Sequence, residues 1–224
     1  MRKLLNKDVG AIGIGAMIVF IAMVLVAGIA ASVLIQTSTT LESQALATGR
    51  DTTDEVSSGI AVFDILGYAQ NSSDISKLAI GVRPRAGSDG IDIGETYVEL
   101  SDTTVKVVLN YTTSYFTEPD GLSDIFAASF FPDDVWAYHE WQNTDASMFG
   151  VLVIEDADNS ITGSTVVVIN RGDKIYLGVN ATGCFNDISE RTDIWGIVVP
   201  ELGSPGVISF RTPASYTDNV MDLQ

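Results

Sequence analysis

The chain has 224 residues, with 12 Lys and Arg against 29 Asp and Glu and a net charge of −17. That imbalance excludes nucleic acid and anionic lipid surfaces as partners. Cys184 is the single cysteine, so no intramolecular disulfide is possible and packing must hold the fold together.

The first ten residues, MRKLLNKDVG, form a short basic leader. Behind it the chain carries no charged residue from Val9 to Leu41. An apolar run of that length belongs in a bilayer, in a signal sequence, or in the dry centre of an assembly. From Ala11 to Ile35 it is long enough to cross a bilayer as a helix.

The helical pattern continues through Leu41, Ala45, Leu46 and Thr48, and no proline interrupts the chain before Pro84. A break is conceivable at Thr37–Thr40, where β-branched and small hydroxyl residues cluster. A helix from Ala11 to Val56 would be roughly 70 Å long, over twice the ~30 Å thickness of a hydrocarbon layer. A plain anchor has no need of that length, whereas a helix that leaves the membrane and packs beside copies of itself does. Ala27 with Ala31, and Gly28 with Ser32, are small residues one turn apart that allow helix backbones to approach closely. Outside the bilayer, Ala11–Ile35 would expose on the order of 1,500 Å² of apolar surface, far more than a soluble monomer tolerates.

After Gly59 the texture changes. About 165 residues remain, enough for one domain with its own core. Runs rich in Val, Ile, Tyr and Phe and bounded by turn residues span 60–69, 77–84, 96–101, 104–111, 149–155, 164–170, 173–180, 194–200 and 206–212. Such spacing predicts an antiparallel sandwich or barrel, with Arg171-Gly172-Asp173 as a hairpin turn. The stretch 118–142 is less regular, and its aromatics, Phe126, Phe130, Phe131, Trp136, Tyr138 and Trp141, are expected to pack over the sheet.

The chemistry of an enzyme is not in evidence. There is no phosphate loop, and the Gly-rich AIGIGA at 11–16 lies within the apolar helix rather than after a strand. Cys184 and the single histidine, His139, read as a small thiol and a polar imidazole rather than as a nucleophile pair or zinc ligands. No cofactor is expected. Two acidic clusters, Asp89/Asp92/Glu95 and Glu155/Asp156/Asp158/Asn159, offer the oxygens that Ca²⁺ takes, but neither fits the twelve-residue EF-hand loop. Sequons for N-glycosylation occur at Asn71, Asn110 and Asn180. Export of the chain would place them where glycosylation acts, Asn110 only if it points outward from its strand.

The block GIGAMIVFIAMVLVAGIAASVLIQTS at 13–38, followed by ATGRDTTDEVSSGI at 47–60, closely resembles archaeal flagellins, the archaellins. The ending VVPELGSPGVISFRTPASYTDNVMDLQ at 198–224 is similar too, while the middle matches mainly in texture. The resemblance implies a type IV pilin-like subunit: residues 1–10 a class III signal peptide cut by a prepilin-type peptidase between Gly10 and Ala11, residues 11–58 a filament-core helix, and residues 59–224 an outer immunoglobulin-like β-sandwich. The family often has a basic residue before the last leader glycine, where this chain has Val9. It further implies a homo-oligomeric helical filament, alone or with paralogous archaellins, that serves swimming and surface adhesion. The subunit would sit in the membrane before assembly and outside the cell after it. An adhesive type IV pilin is the nearest rival, but bacterial pilins carry Glu as the fifth mature residue, where this chain has Gly15. A single-pass membrane protein with a binding ectodomain stays open from the residues alone.

Overall fold

The computed structural model describes residues 5–70, 74–118, 124–127, 148–161 and 163–224. Contacts divide the chain into two compact units, Met1–Thr52 and Thr53–Gln224.

The first unit belongs to a single helix, α1, Leu5–Ser57. It begins before the expected Ala11 and ends one residue beyond Val56. The suspected break at Thr37–Thr40 does not occur. The hydroxyls there bond back to carbonyls one turn earlier, Thr37 to Leu34 at 3.0 Å, Thr39 to Gln36 at 3.0 Å and Thr40 to Gln36 at 2.9 Å. That back-bonding lets hydroxyl residues remain inside a helix instead of competing with it.

The second unit is built on β1 (Ile60–Ala69), β2 (Ile75–Pro84), β3 (Ile91–Asp92), β4 (Tyr97–Asp102), β5 (Lys106–Thr117), β6 (Met148–Glu155), β7 (Val168–Ile169), β8 (Lys174–Asn180), a short helix α2 (Ala181–Phe185), β9 (Asp193–Val199), β10 (Gly206–Arg211) and β11 (Val220–Asp222). Every strand expected from the sequence is present. The run 164–170 shrinks to the two residues of β7, while β3, β11 and α2 had no sequence signal of their own.

Nine strands form one sheet in the order β10-β9-β4-β5-β6-β8-β2-β1-β11, and β3 pairs with β7 beside it. All pairings between these strands are antiparallel except β5 with β6, and the isolated bridge between Gly59 and Ser204 is parallel as well. The sheet wraps until its flanks meet, so it is one rolled sheet. Ser204, just before β10, accepts from Ile60 N–H at 3.1 Å and donates to the Ser58 carbonyl at 2.9 Å. Inside the roll lies the core, with Ile60, Ile65, Leu78, Ile80, Val98, Leu100, Leu109, Phe149, Leu177 and Ile208 fully buried. Alternation along β4 and β10 puts Val98, Leu100, Ile208 and Phe210 inward and Glu99, Val207 and Ser209 outward.

β8 is buried on both faces because a second cluster lies outside it. There Phe126, in the turn Ile125–Ala127, packs with Ala79, Leu152 and Tyr176 and stacks on Tyr68 at 5.1 Å. This agrees with the expectation for the aromatic stretch. Its other aromatics, and His139, lie outside the described residues.

The turn at Arg171-Gly172-Asp173 exists, with Asp173 N–H bonded to the Asn170 carbonyl at 3.2 Å. It is not a hairpin, since β7 pairs with β3 and β8 with β2 and β6. Within the turn the buried Asp173 carboxylate accepts from Asn170 N–H at 2.8 Å, while the two flanking strands leave for different partners.

Candidate assembly surface

Hydrophobic residues at 17–21 and 23–26 step through successive 100° intervals, so α1 is apolar on every side rather than along one stripe. An amphipathic helix packs one face on a core; this one would need partners all round. From Ile12 to Ile35 the large hydrophobic side chains are 53 to 72% exposed. No part of the most apolar window of Ile12–Ser57 is buried within the chain, although its length and composition suffice to cross a membrane.

The small residues singled out from the sequence lie within this surface. Ala27, Gly28, Ala31 and Ser32 are exposed, and a Cβ built on Gly28 meets nothing within 4 Å. Gly10 and Ala11 lie inside α1.

The glycosylation candidates separate. Asn110 is exposed on β5, opposite Tyr97 of β4. Asn180 is 7% exposed, and its Oδ1 accepts from Gly183 N–H at 3.2 Å to cap α2. Asn71 lies outside the described residues.

Of the acidic clusters, Asp89, Asp92 and Glu95 do not converge; Asp92 Oδ1 instead closes a local turn by accepting from Gly94 N–H at 2.7 Å. In the second cluster Glu155 turns away to pair with Lys174 at 2.7 Å, and Asn159 takes a left-handed backbone with φ of 58°. Asp156 and Asp158 are joined by Asp173, the three offering carboxylate oxygens within 4.8 Å of one another. Sequence reasoning missed Asp173 because it lies in the next turn of the chain; the only signal was the Asn-Arg-Gly-Asp turn itself.

Each of these carboxylates already accepts backbone N–H groups: Asp156 from Ser160 and Ile161, Asp158 from Ser160, Asp173 from Ala157 and Asn170. Hydrogen bonds from Ser160 and Asn170 hold the Asp158 carboxyl below its ordinary range. The oxygens are of the type hard cations take, and their present work is to brace two loops.

Cys184 offers no nucleophile. Its thiol packs beside the core, and burial pushes its pKa up to about 12.

Comparison with known proteins agrees with the geometry. Residues 10–210 match the family model for archaeal-type flagellin. Flagellin B3 of Thermococcus kodakarensis is 41% identical, covering 97% of this chain and 98% of that protein. Flagellin B1 of Methanocaldococcus jannaschii is 44% identical, covering 96% and 95%. Among solved structures, the crystal structure of archaeal flagellin FlaB1 from Methanocaldococcus jannaschii superposes with a TM-score of 0.59 at 38% identity, covering 75% of this chain and 97% of that one. The archaeal flagellum of Methanospirillum hungatei strain JF1 gives a TM-score of 0.60 at 15% identity over 93% and 98%, a likeness of fold.

Proposed function

The chain belongs to the archaeal-type flagellin family, and from that premise we propose how it works as the structural subunit of a swimming filament outside the cell. It is not an enzyme. The observation that carries the reading is α1: apolar on all sides and exposed from Ile12 to Ile35, and far longer than a bilayer requires. Copies of the helix bundled together bury that surface, and Ala27, Gly28, Ala31 and Ser32 set how closely neighbours approach.

Before assembly the same helix holds the subunit in the membrane, with the basic leader retained on the inner side. A prepilin-type peptidase then cuts between Gly10 and Ala11, so the mature chain starts at Ala11. Residues 11–58 form the filament core and residues 59–224 the outer β domain, where the exposed Asn110 carries an N-linked glycan. The filament is built from copies of this chain, alone or with paralogous flagellins.

Electron microscopy of filaments sheared from native cells, with N-terminal sequencing of the main band, tests this. The expected result is this chain, starting at Ala11. A main band starting at Met1, or this chain found only in membranes, overturns it.

A further inference from the structure

Of the chain's 12 Lys and Arg residues, Arg83, Arg85, Arg171 and Lys174 line one cavity of about 390 Å³ in the β unit. On a molecule with 29 acidic residues this is a concentration of the opposite charge, and its own carboxylates cancel only part of it. Lys174 is paired with Glu155. Asp173, also in the cavity wall, is buried, and its oxygens accept from Ala157 N–H at 3.0 Å and Asn170 N–H at 2.8 Å.

Arg85 donates from Nε to the Ile60 carbonyl at 3.3 Å and from Nη2 to the Pro205 carbonyl at 3.4 Å. It is thereby held at the seam where the sheet closes, without meeting a carboxylate. Arg83 and Arg171 are exposed and form no ion pair among the described residues. A guanidinium grips a carboxylate through two parallel hydrogen bonds and cannot shed its charge, so three such groups around one hollow form a receptor for carboxylates.

We propose that this cavity receives Asp or Glu side chains from the β domain of a neighbouring copy in the filament. The proposal rests on the filament reading above. Association of the helices brings identical, strongly acidic subunits side by side, and like charges repel. The cavity is where a neighbour's carboxylates meet uncompensated positive charge. One exposed ion pair contributes little, but this contact repeats at every subunit and fixes one domain against the next. It weakens as salt screens it.

The test uses whole chains in their own cells. Filaments of an Arg171→Lys variant, which keeps the charge, are sheared and treated with a water-soluble carbodiimide that joins an amine directly to a carboxylate. The expected result is a ladder of covalent dimers and higher species, with position 171 joined by mass spectrometry to an Asp or Glu of another copy. The ladder is expected to be lost when coupling is done at 1 M salt. Filaments carrying both Arg83→Glu and Arg171→Glu are expected to dissociate at lower temperature than wild type.

Links at position 171 only within one chain, monomers alone, or a double variant as heat-resistant as wild type each overturn the proposal. Those outcomes require filaments to be present. Wild-type cells without filaments would instead overturn the filament reading, and this proposal with it.

Discussion

Burial at Cys184 disfavours the thiolate, and the consequence appears at high pH. The thiol loses its proton near pH 9 in the unfolded chain and near pH 12 in the folded one. Below pH 9 both states keep the proton and stability does not change on this account; between pH 9 and 12 only the unfolded state sheds it, so stability falls. Tyr111, whose hydroxyl donates to the Ser164 carbonyl at 2.8 Å, is pushed up to about 12 by burial and by the nearby Asp92, and acts in the same direction above pH 10. Denaturation midpoints are therefore expected to drop from pH 9 upward, and Cys184→Ala to flatten that slope. Iodoacetamide at pH 8 should label Cys184 slowly until denaturant is added. Gly196, in the middle of β9, is a residue of a different kind. An added Cβ would run into the Glu99 carbonyl of β4 and lie 2.9 Å from Leu100 Cδ2. Gly196→Ala is expected to cost about 1–3 kcal/mol in denaturant unfolding, since the β4–β9 ladder has to part to admit a methyl group. Mass spectrometry of native filaments is expected to find a glycan on Asn110 and none on Asn180, whose amide is buried and capping α2. An unmodified Asn110 peptide would refute this.

At the scale of elements, α1 makes the sharpest forecast. With Gly28 at a close approach between core helices, Gly28→Ile would wedge neighbours apart at every subunit and cost about 1–3 kcal/mol each time. Export should continue while filaments shorten or vanish and cells stop swimming. Within the chain the new side chain touches nothing, so a membrane-anchored monomer would be indifferent to it; intact filaments in a Gly28→Ile strain would refute core packing. The helix was legible in the sequence because its signal is local: unbroken apolarity, with no glycine cluster or proline strong enough to stop it. The long strands were legible for the same reason, through β-branched runs closed by turn residues. β11 was not, because Val220–Asp222 has little strand character and exists only by pairing with Leu66–Tyr68 of β1. The parallel β5–β6 pair was hidden for a related reason: orientation is decided by where the connecting segment returns, which periodicity does not record. Asp173 and the arginine cavity escaped notice because their members are scattered along the chain and meet only once β8 pairs with β2 and β6.

For the whole molecule, contacts separate the chain at Thr52 and Thr53, and the core lies entirely beyond that point. A fragment starting at Gly59 is expected to be a soluble monomer with a β-type circular dichroism spectrum. A fragment starting at Thr53 is expected to be the more stable of the two. It retains the Ser58 carbonyl that receives Ser204 N–H, and the Asp54 carbonyl that receives Ser58 N–H at 2.8 Å. Equal denaturation midpoints for the two fragments would show that the seam adds nothing. A helical spectrum, or a fragment that never becomes soluble, would show that the β unit does not stand alone.

That seam also sets an order of events in time. The first strand of the sheet is completed by segments made long after it: β1 pairs with β11, and its start is tied to Ser204. During synthesis Ile60–Ala69 therefore waits, with one edge unpaired, until almost the whole chain has emerged. Pairings so distant in sequence place the domain among slow folders, in the range of milliseconds to seconds. A ribosome that stops short of Val220 releases a chain whose opening strand has an unmatched edge, exposed to aggregation and proteolysis. Only a chain that extends through β11 closes, and so the fold itself screens shorter products before they can be added to a filament.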